Sequence, residues 1–460
     1  MMHRREFLQA STLALVGCGV APTSVRPASP QEAPRGDRPP RPEGVTVLNP
    51  RARVPVSLLI DDSTCLVNLA HFCIPQFEPI MKDRPKKDWR KLPTEIPDAF
   101  VRKFHEWCRE HGVKGKYSVI PYPAMVGWVD REIPGWTRAE LAESLTLLRD
   151  FVSRDWDLTP EMVTHTHIID PKTGRALEPF DESTMENWGW SQKRSTDELA
   201  EYIAYALRPL KNAGLNITGV TSPGGFGGKN LTNYSKAVFE ACRDVNKTEL
   251  PFYLKKVITD DRSPAPEVLL ASGLETDDPR CVVSIVGCTG DWFGGWDGLE
   301  RGSVDQFITE DLKGGRLPQV IGKGEPAVMV CHWPGMYFNG DEVGFSIFKE
   351  VVKRLEVAYD NLIWMKFSEL GRYWAAKELT KIEKTAGRVE LHAPYACPQF
   401  TVGVTAPGNA VPKLTVKGQP VALKEVAKPL ALESGAWTRT RDGVAVCYDL
   451  PKGASQLEVL

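Results

Sequence analysis

Nowhere in its 460 residues does this chain carry an apolar run of membrane-spanning length. The modest stretch Ala10 to Val16 falls far short of the roughly 18 to 20 residues a membrane helix needs. A transmembrane helix is therefore not expected. Charge of one sign is lacking too: 57 Lys and Arg against 59 Asp and Glu give a formal net charge of -2, which offers no electrostatic footprint for nucleic acid. No close Cys-x-x-Cys pair occurs, and with Cys18 set aside nine of the 10 cysteines remain, an odd number. That pattern writes neither a zinc ribbon nor a complete disulfide framework, so buried small apolar thiols are expected. Histidine is scarce, with 8 in all, and a close pair of them stands out for that reason.

At the N-terminus, Arg4-Arg5-Glu6-Phe7-Leu8 followed by a short, weakly apolar run reads as a twin-arginine export signal. Leu15-Val16-Gly17-Cys18 resembles a lipobox, so residues 1–18 are expected to be a signal peptide in which Cys18 is either a lipid anchor site or a chance cysteine near the cleavage site, giving a periplasmic or membrane-tethered protein. Residues 19–50, rich in Pro, Arg and small polar side chains, read as a flexible leader.

From Val54 on, short apolar runs alternate with amphipathic stretches of helical length. Strands are expected at 56–60, 116–120, 162–167, 217–221, 252–257, 282–286, 327–331 and 362–366, with helices between most of them. This rhythm predicts an α/β domain over 51–379, a distorted (β/α)7-type barrel. Past Thr380 the pattern becomes short alternating runs broken by Pro and Gly, which predicts a small all-β domain over 380–460, structural or glycan-facing.

In such barrels chemistry sits after the carboxyl ends of strands. The first ends in Asp61-Asp62, adjacent carboxylates that suit a metal or proton-transfer role or, equally, a pair of solvated loop acids. The third reads Val163-Thr164-His165-Thr166-His167-Ile168-Ile169-Asp170. On a strand, His165 and His167 project to the same face, and two imidazoles with one carboxylate leave the open position of a catalytic metal site. Ser222-Pro223-Gly224-Gly225 forms a turn whose backbone can approach a ligand. Cys288-Thr289-Gly290-Asp291-Trp292 follows a later strand. Val330-Cys331-His332 ends another, and His332 can serve as a general acid or as a satisfied structural histidine.

Taken in order, these strand ends resemble the polysaccharide deacetylases of carbohydrate esterase family four, the NodB-homology fold. Asp61-Asp62, His165-Thr166, Pro223, Asp291-Trp292 and His332 occupy the family's motif positions, and Trp364 to Leu370 looks like its closing strand and helix. The resemblance implies a metal-dependent carbohydrate deacetylase: Asp61 as base toward a metal-activated water, Asp62 and His165 as ligands, His332 as acid, and Asp291 in the catalytic set. Zinc is the expected ion, with Co2+, Mn2+ and Ni2+ as alternatives; Pro223, Gly224, Trp292 and Trp296 would face the polysaccharide. The pattern departs from the family in three places. The second ligand His should lie four residues after His165, where Ile169 stands, so His167 or Asp170 must substitute, and strand geometry favours His167. Ser222 replaces the arginine that orients the base, and Cys288 replaces the first acid of the fourth motif. Two competing readings are a glycoside hydrolase or amidase on a related barrel, with Glu182, Glu186 and Asp297 as further acids, and a non-catalytic glycan-binding lipoprotein.

Overall fold

The computed structural model describes residues 32–82 and 87–459. The export signal and Cys18 lie outside them. Ten strands precede the C-terminal region: β1 Val45–Val47, β2 Val54–Asp61, β3 Gly115–Ser118, β4 Trp156–Thr159, β5 Gly219–Thr221, β6 Phe252–Val257, β7 Glu267–Ser272, β8 Arg280–Gly287, β9 Ala327–His332 and β10 Leu362–Trp364. All eight residues of β2 are buried, as an apolar run packed on both faces of a parallel sheet must be. It pairs in parallel with β3, β9 and β10, and β3 pairs with β4. A second sheet runs β5-β6-β8-β7, parallel except for its β7 edge. The two sheets meet through a single parallel bridge, Leu158 to Ile217, and through the Cys288 N–H donating to the Val328 carbonyl at 2.7 Å. The expected barrel is thus an α/β arrangement of two sheets, with no continuous ring of ladders among the described residues.

The helices begin where the sequence supplies caps. Arg138–Asp150 and Thr196–Asn212 each start on a capping box, Thr137 with Glu140 and Ser195 with Glu198. Asp98–Glu110 buries Phe100, Val101, Phe104 and Cys108, one face of a helical repeat. Elements that the sequence pattern does not predict include helix Leu69–Phe77, which carries an internal Pro75, strand β4, whose Trp-Asp-Leu-Thr has a carboxylate in its middle, the edge strand β7 and helix Arg316–Gly322. The strand expected at 162–167 is instead an irregular segment in which Met162 and His165 adopt left-handed φ of 53° and 68°.

The C-terminal region is all β: β11 Lys381–Thr385, β12 Arg388–Ala393, β13 Cys397–Thr405, β14 Pro412–Val416, β15 Gln419–Val421, β16 Lys424–Glu425, β17 Ala436–Thr440, β18 Gly443–Leu450 and β19 Gly453–Val459. They form two five-stranded sheets, β11-β12-β19-β14-β15 and β1-β13-β18-β17-β16. The second contains β1, antiparallel to β13 with Val45 opposite Val404. Over its described part, residues 32–50, the expected flexible leader is instead pinned, Arg38 donating to the Val268 carbonyl at 2.6 Å and pairing with Glu378 at 3.0 Å, while residues 19–31 lie outside the described residues. Helix Phe367–Leu379 is shared between the two regions. Its Leu370, Tyr373 and Trp374 pack in one core with Phe252 and Ile285 on one side and Phe400, Val402 and Leu457 on the other. Among the described residues the cysteines are buried and unpaired, and no helix is long and apolar enough to cross a membrane.

Candidate metal centre

At the end of β2 the chain turns sharply, Asp62 taking a left-handed φ of 58° that a non-glycine residue adopts at a cost. The turn separates the two carboxylates. Asp61 stays in register opposite His332 of β9, while Asp62 turns toward the segment after β4. There the Asp62 N–H donates to Glu161 Oε2 at 2.9 Å, and Asp62 Oδ1 lies 3.1 Å from His165 Nε2. His165 Nδ1 stands 3.5 Å from Glu161 Oε1. Asp62, Glu161 and His165 are all buried, and one donor atom from each lies within 4.8 Å of the others. Asp62 Oδ1 and His165 Nδ1 have no hydrogen-bond partner.

The electrostatics fit a cation. Burial, together with the neighbouring Asp61 and Asp62 charges, raises the Glu161 carboxyl well above its usual range. Burial lowers the His165 imidazole, against the pull of Asp62, and so keeps it neutral with a lone pair to give. Two further acids stand beside the trio, Asp61 paired with Lys116 and Asp291 with His332, and a concentration of buried carboxylates of this kind is one that a divalent ion stabilises.

His167 is not part of this cluster, which corrects the ligand set expected from strand geometry. Because 162–166 is not a strand, the alternation argument fails. The His167 ring instead contacts Gln76 Oε1 through Nδ1 at 3.0 Å and packs against Phe180, and burial lowers its pKa to about 4. Asp170 does not complete the site either, since its carboxylate caps its own turn through Lys172 N and Thr173 Oγ1. The four-residue ligand spacing is present, but it runs backward from His165 to Glu161. The segment is shaped by Glu186, a buried carboxylate that accepts the N–H groups of Val163 at 3.0 Å, Thr164 at 3.1 Å and His165 at 2.5 Å, and the hydroxyl of Tyr202.

Around the trio, His332 Nδ1 contacts Asp291 Oδ2 at 2.8 Å. Burial alone would lower the His332 pKa, but the charges of Asp62, Asp291 and Asp61 outweigh it and hold the imidazolium up to about 10. Asp61 Oδ1 accepts from Lys116 Nζ at 2.5 Å, a fully buried lysine that sequence reasoning passed over. Ser222 Oγ donates to Tyr234 at 2.6 Å, Cys288 is buried, and Pro223 is buried beside an exposed Gly224. Lys255 Nζ donates to the Gly224 carbonyl at 2.5 Å; burial lowers its pKa to about 8, with Asp61 opposing.

Of the two expected stacking tryptophans, Trp296 belongs to the site's wall: Phe77 sits 6.4 Å from the His165 ring and touches Trp188 at 5.4 Å and Trp296 at 6.0 Å between centroids. Trp292 packs edge-on against Phe307. The acids that a glycosidase reading would need are otherwise engaged or exposed: Glu186 is saturated by its donors, Asp297 pairs with Lys87, and Glu182 is exposed.

No protein-family model matches the chain. No curated protein matches it either. Solved structures with similar chain traces include a family 4 acetyl xylan esterase from Clostridium thermocellum in complex with a cobalt ion, 10% identical with a TM-score of 0.29 over 69% of this chain and 89% of that one. Puue allantoinase is 11% identical, with a TM-score of 0.36 over 71% and 91%. The 4-alpha-glucanotransferase from Thermococcus litoralis is 9% identical, with a TM-score of 0.34 over 69% and 40%. Likeness at this level assigns neither family nor activity.

Proposed function

We propose that this protein is a metal-dependent hydrolase that removes an acyl group from an N- or O-acylated polysaccharide. In this reading Asp62, Glu161 and His165 hold a divalent cation. The observation that carries it is the buried trio, whose donor atoms converge within 4.8 Å while Asp62 Oδ1 and His165 Nδ1 lack any hydrogen-bond partner. Orphaned buried groups of this kind cost about 1–3 kcal/mol each, which ligation offsets. Two carboxylates and one imidazole form a harder donor set than the two-imidazole site expected from sequence, which brings Mn2+ and Co2+ forward beside Zn2+.

When bound, such an ion polarises the scissile carbonyl and lets water attack near neutral pH. The chain's own residues supply the proton traffic. Asp61, held through Oδ1 by Lys116, keeps Oδ2 to take the proton of the attacking water. His332, held through Nδ1 by Asp291, has Nε2 left to protonate the departing amine or alkoxide. The two stand opposite each other on adjacent strands, so base and acid flank one reaction space. Phe77, Trp188 and Trp296 offer the flat apolar wall on which a sugar ring stacks. Export through the Arg4-Arg5 signal suits a polymer substrate outside the cytoplasm.

Metal analysis of purified protein, joined to a screen for acetate release from acetylated chitin, xylan and peptidoglycan fragments, tests the reading. One divalent ion per chain and released acetate are expected. Metal absent from both wild type and Asp62→Ala overturns the metal centre; sugar cleavage without acetate overturns deacetylation and favours a glycosidase.

A further inference from the structure

We infer that Lys116 keeps Asp61 out of the cation's coordination shell, so that this carboxylate remains a base instead of becoming a third acidic ligand. The inference rests on the metal-hydrolase reading above and deepens it. Asp61 adjoins the ligand Asp62 in sequence, and a dication draws in any carboxylate within reach. Asp61 is nonetheless absent from the converging donors.

What restrains it is geometric. A lysine ammonium has three N–H donors, and the structure supplies three acceptors: Asp61 Oδ1 at 2.5 Å, Ser118 Oγ at 2.7 Å and the Ile60 carbonyl at 2.9 Å. Lys116 is 0% exposed, and the parallel register of β2 and β3, with Leu59 opposite Lys116 and Ile60 opposite Tyr117, fixes its backbone beside the base. The ammonium therefore has no solvated position to swing into. If Asp61 moved onto a cation, it would leave a buried, unpaired lysine behind, a state far costlier than the intact pair. The arginine that the family resemblance would put at position 222 has no counterpart there, since Ser222 is turned to Tyr234. In this chain the charge that disciplines the base comes from the neighbouring strand.

The test uses full-length protein loaded with Co2+, whose visible absorption weakens as coordination number rises, with metal content read by mass spectrometry. Wild type is expected to bind one Co2+ per chain. In Lys116→Met, a change to an unbranched apolar side chain, Asp61 is free to ligate, and the visible bands are expected to lose about half their intensity or more while stoichiometry holds. The double variant Asp61→Asn/Lys116→Met returns to the wild-type spectrum. Asp61→Asn alone keeps both the wild-type spectrum and Co2+ affinity, and this arm stands even if Lys116→Met does not fold. A Lys116→Met spectrum identical to wild type, or an Asp61→Asn spectrum changed from wild type as loss of a ligand would change it, overturns the inference and leaves the metal centre intact. Wild type that binds no Co2+ overturns the metal reading and this inference with it.

Discussion

At the residue scale the centre turns on Glu161, a carboxylate 2% exposed between two other acids. Burying it charged is tolerable only with a cation to answer it. Glu161→Ala and Asp62→Ala are each expected to lower bound metal from one equivalent to a small fraction, whereas His167→Ala retains it; elemental analysis of dialysed protein decides. Retention in Glu161→Ala together with loss in His167→Ala would restore the ligand set that strand geometry suggested. Legibility at this scale followed residue type. Asp61-Asp62 and His332 were visible because charged or titratable groups abruptly follow apolar strands, and His165 because histidines are few. Glu161 and Lys116 were not, because a Glu after Pro160 reads as a solvated loop acid and a Lys in a four-residue strand as an edge charge. Their meaning lies in partners about a hundred and about fifty-five residues away, Asp62 and Asp61, and no local pattern records such a pairing.

At the element scale the misplaced strand explains the misplaced ligand. The apolar run Met162-Val163 imitates a strand, but the Val163, Thr164 and His165 amides are spent on Glu186 and the true strand β4 ends at Thr159, its period obscured by Asp157. Glu186 thereby fixes the backbone of the segment that carries His165. Glu186→Ala, which touches no ligand side chain, is expected to weaken metal binding about 10–100-fold by competition with a chromophoric chelator, and an unchanged affinity would reduce Glu186 to packing. Asp157 gives the element scale a pH signature. Its carboxylate accepts Ser368 N–H at 2.6 Å and Ser368 Oγ–H at 2.8 Å, tying β4 to the first turn of helix Phe367–Leu379. Burial nonetheless raises its pKa from 3.8 to about 6, outweighing the Ser368 bonds. A carboxyl whose folded pKa is raised favours the folded state most below its unfolded pKa, near 3.8, and loses that contribution as pH rises through about 6. The difference amounts to about 3 kcal/mol. Urea denaturation at pH 4 and pH 7 should show Asp157→Asn flatter than wild type by an amount of this order; parallel profiles would mean that Asp157 titrates as an exposed acid.

At the scale of the whole molecule, the first and last described segments, residues 32–50 and 381–459, are built into one body with the α/β region. Sequence composition separated a leader, an α/β domain and a β appendage, and it could not see that β1 enters the C-terminal sheet or that helix Phe367–Leu379 lies between two sheets' worth of apolar side chains. The reason is physical: alternation tells which face of a strand is buried, not what buries it. Tyr373 shows the consequence, its hydroxyl donating to the Leu48 carbonyl at 2.8 Å and accepting the Thr401 N–H at 3.2 Å, so one side chain joins leader, α/β region and appendage. Removing residues 381–460 would uncover Leu370, Tyr373 and Trp374 and strand β1 without its partner. Exposing several large side chains at roughly 1.5–3 kcal/mol each consumes most of the stability of an ordinary domain, about 5–15 kcal/mol. The truncated chain is therefore expected to be insoluble or to lose its near-ultraviolet dichroism, while the Asp62→Ala chain, altered only at the metal centre, keeps it. A truncated protein that stays soluble, melts at the wild-type temperature and binds one equivalent of metal would show instead that the appendage merely leans on a core able to close without it.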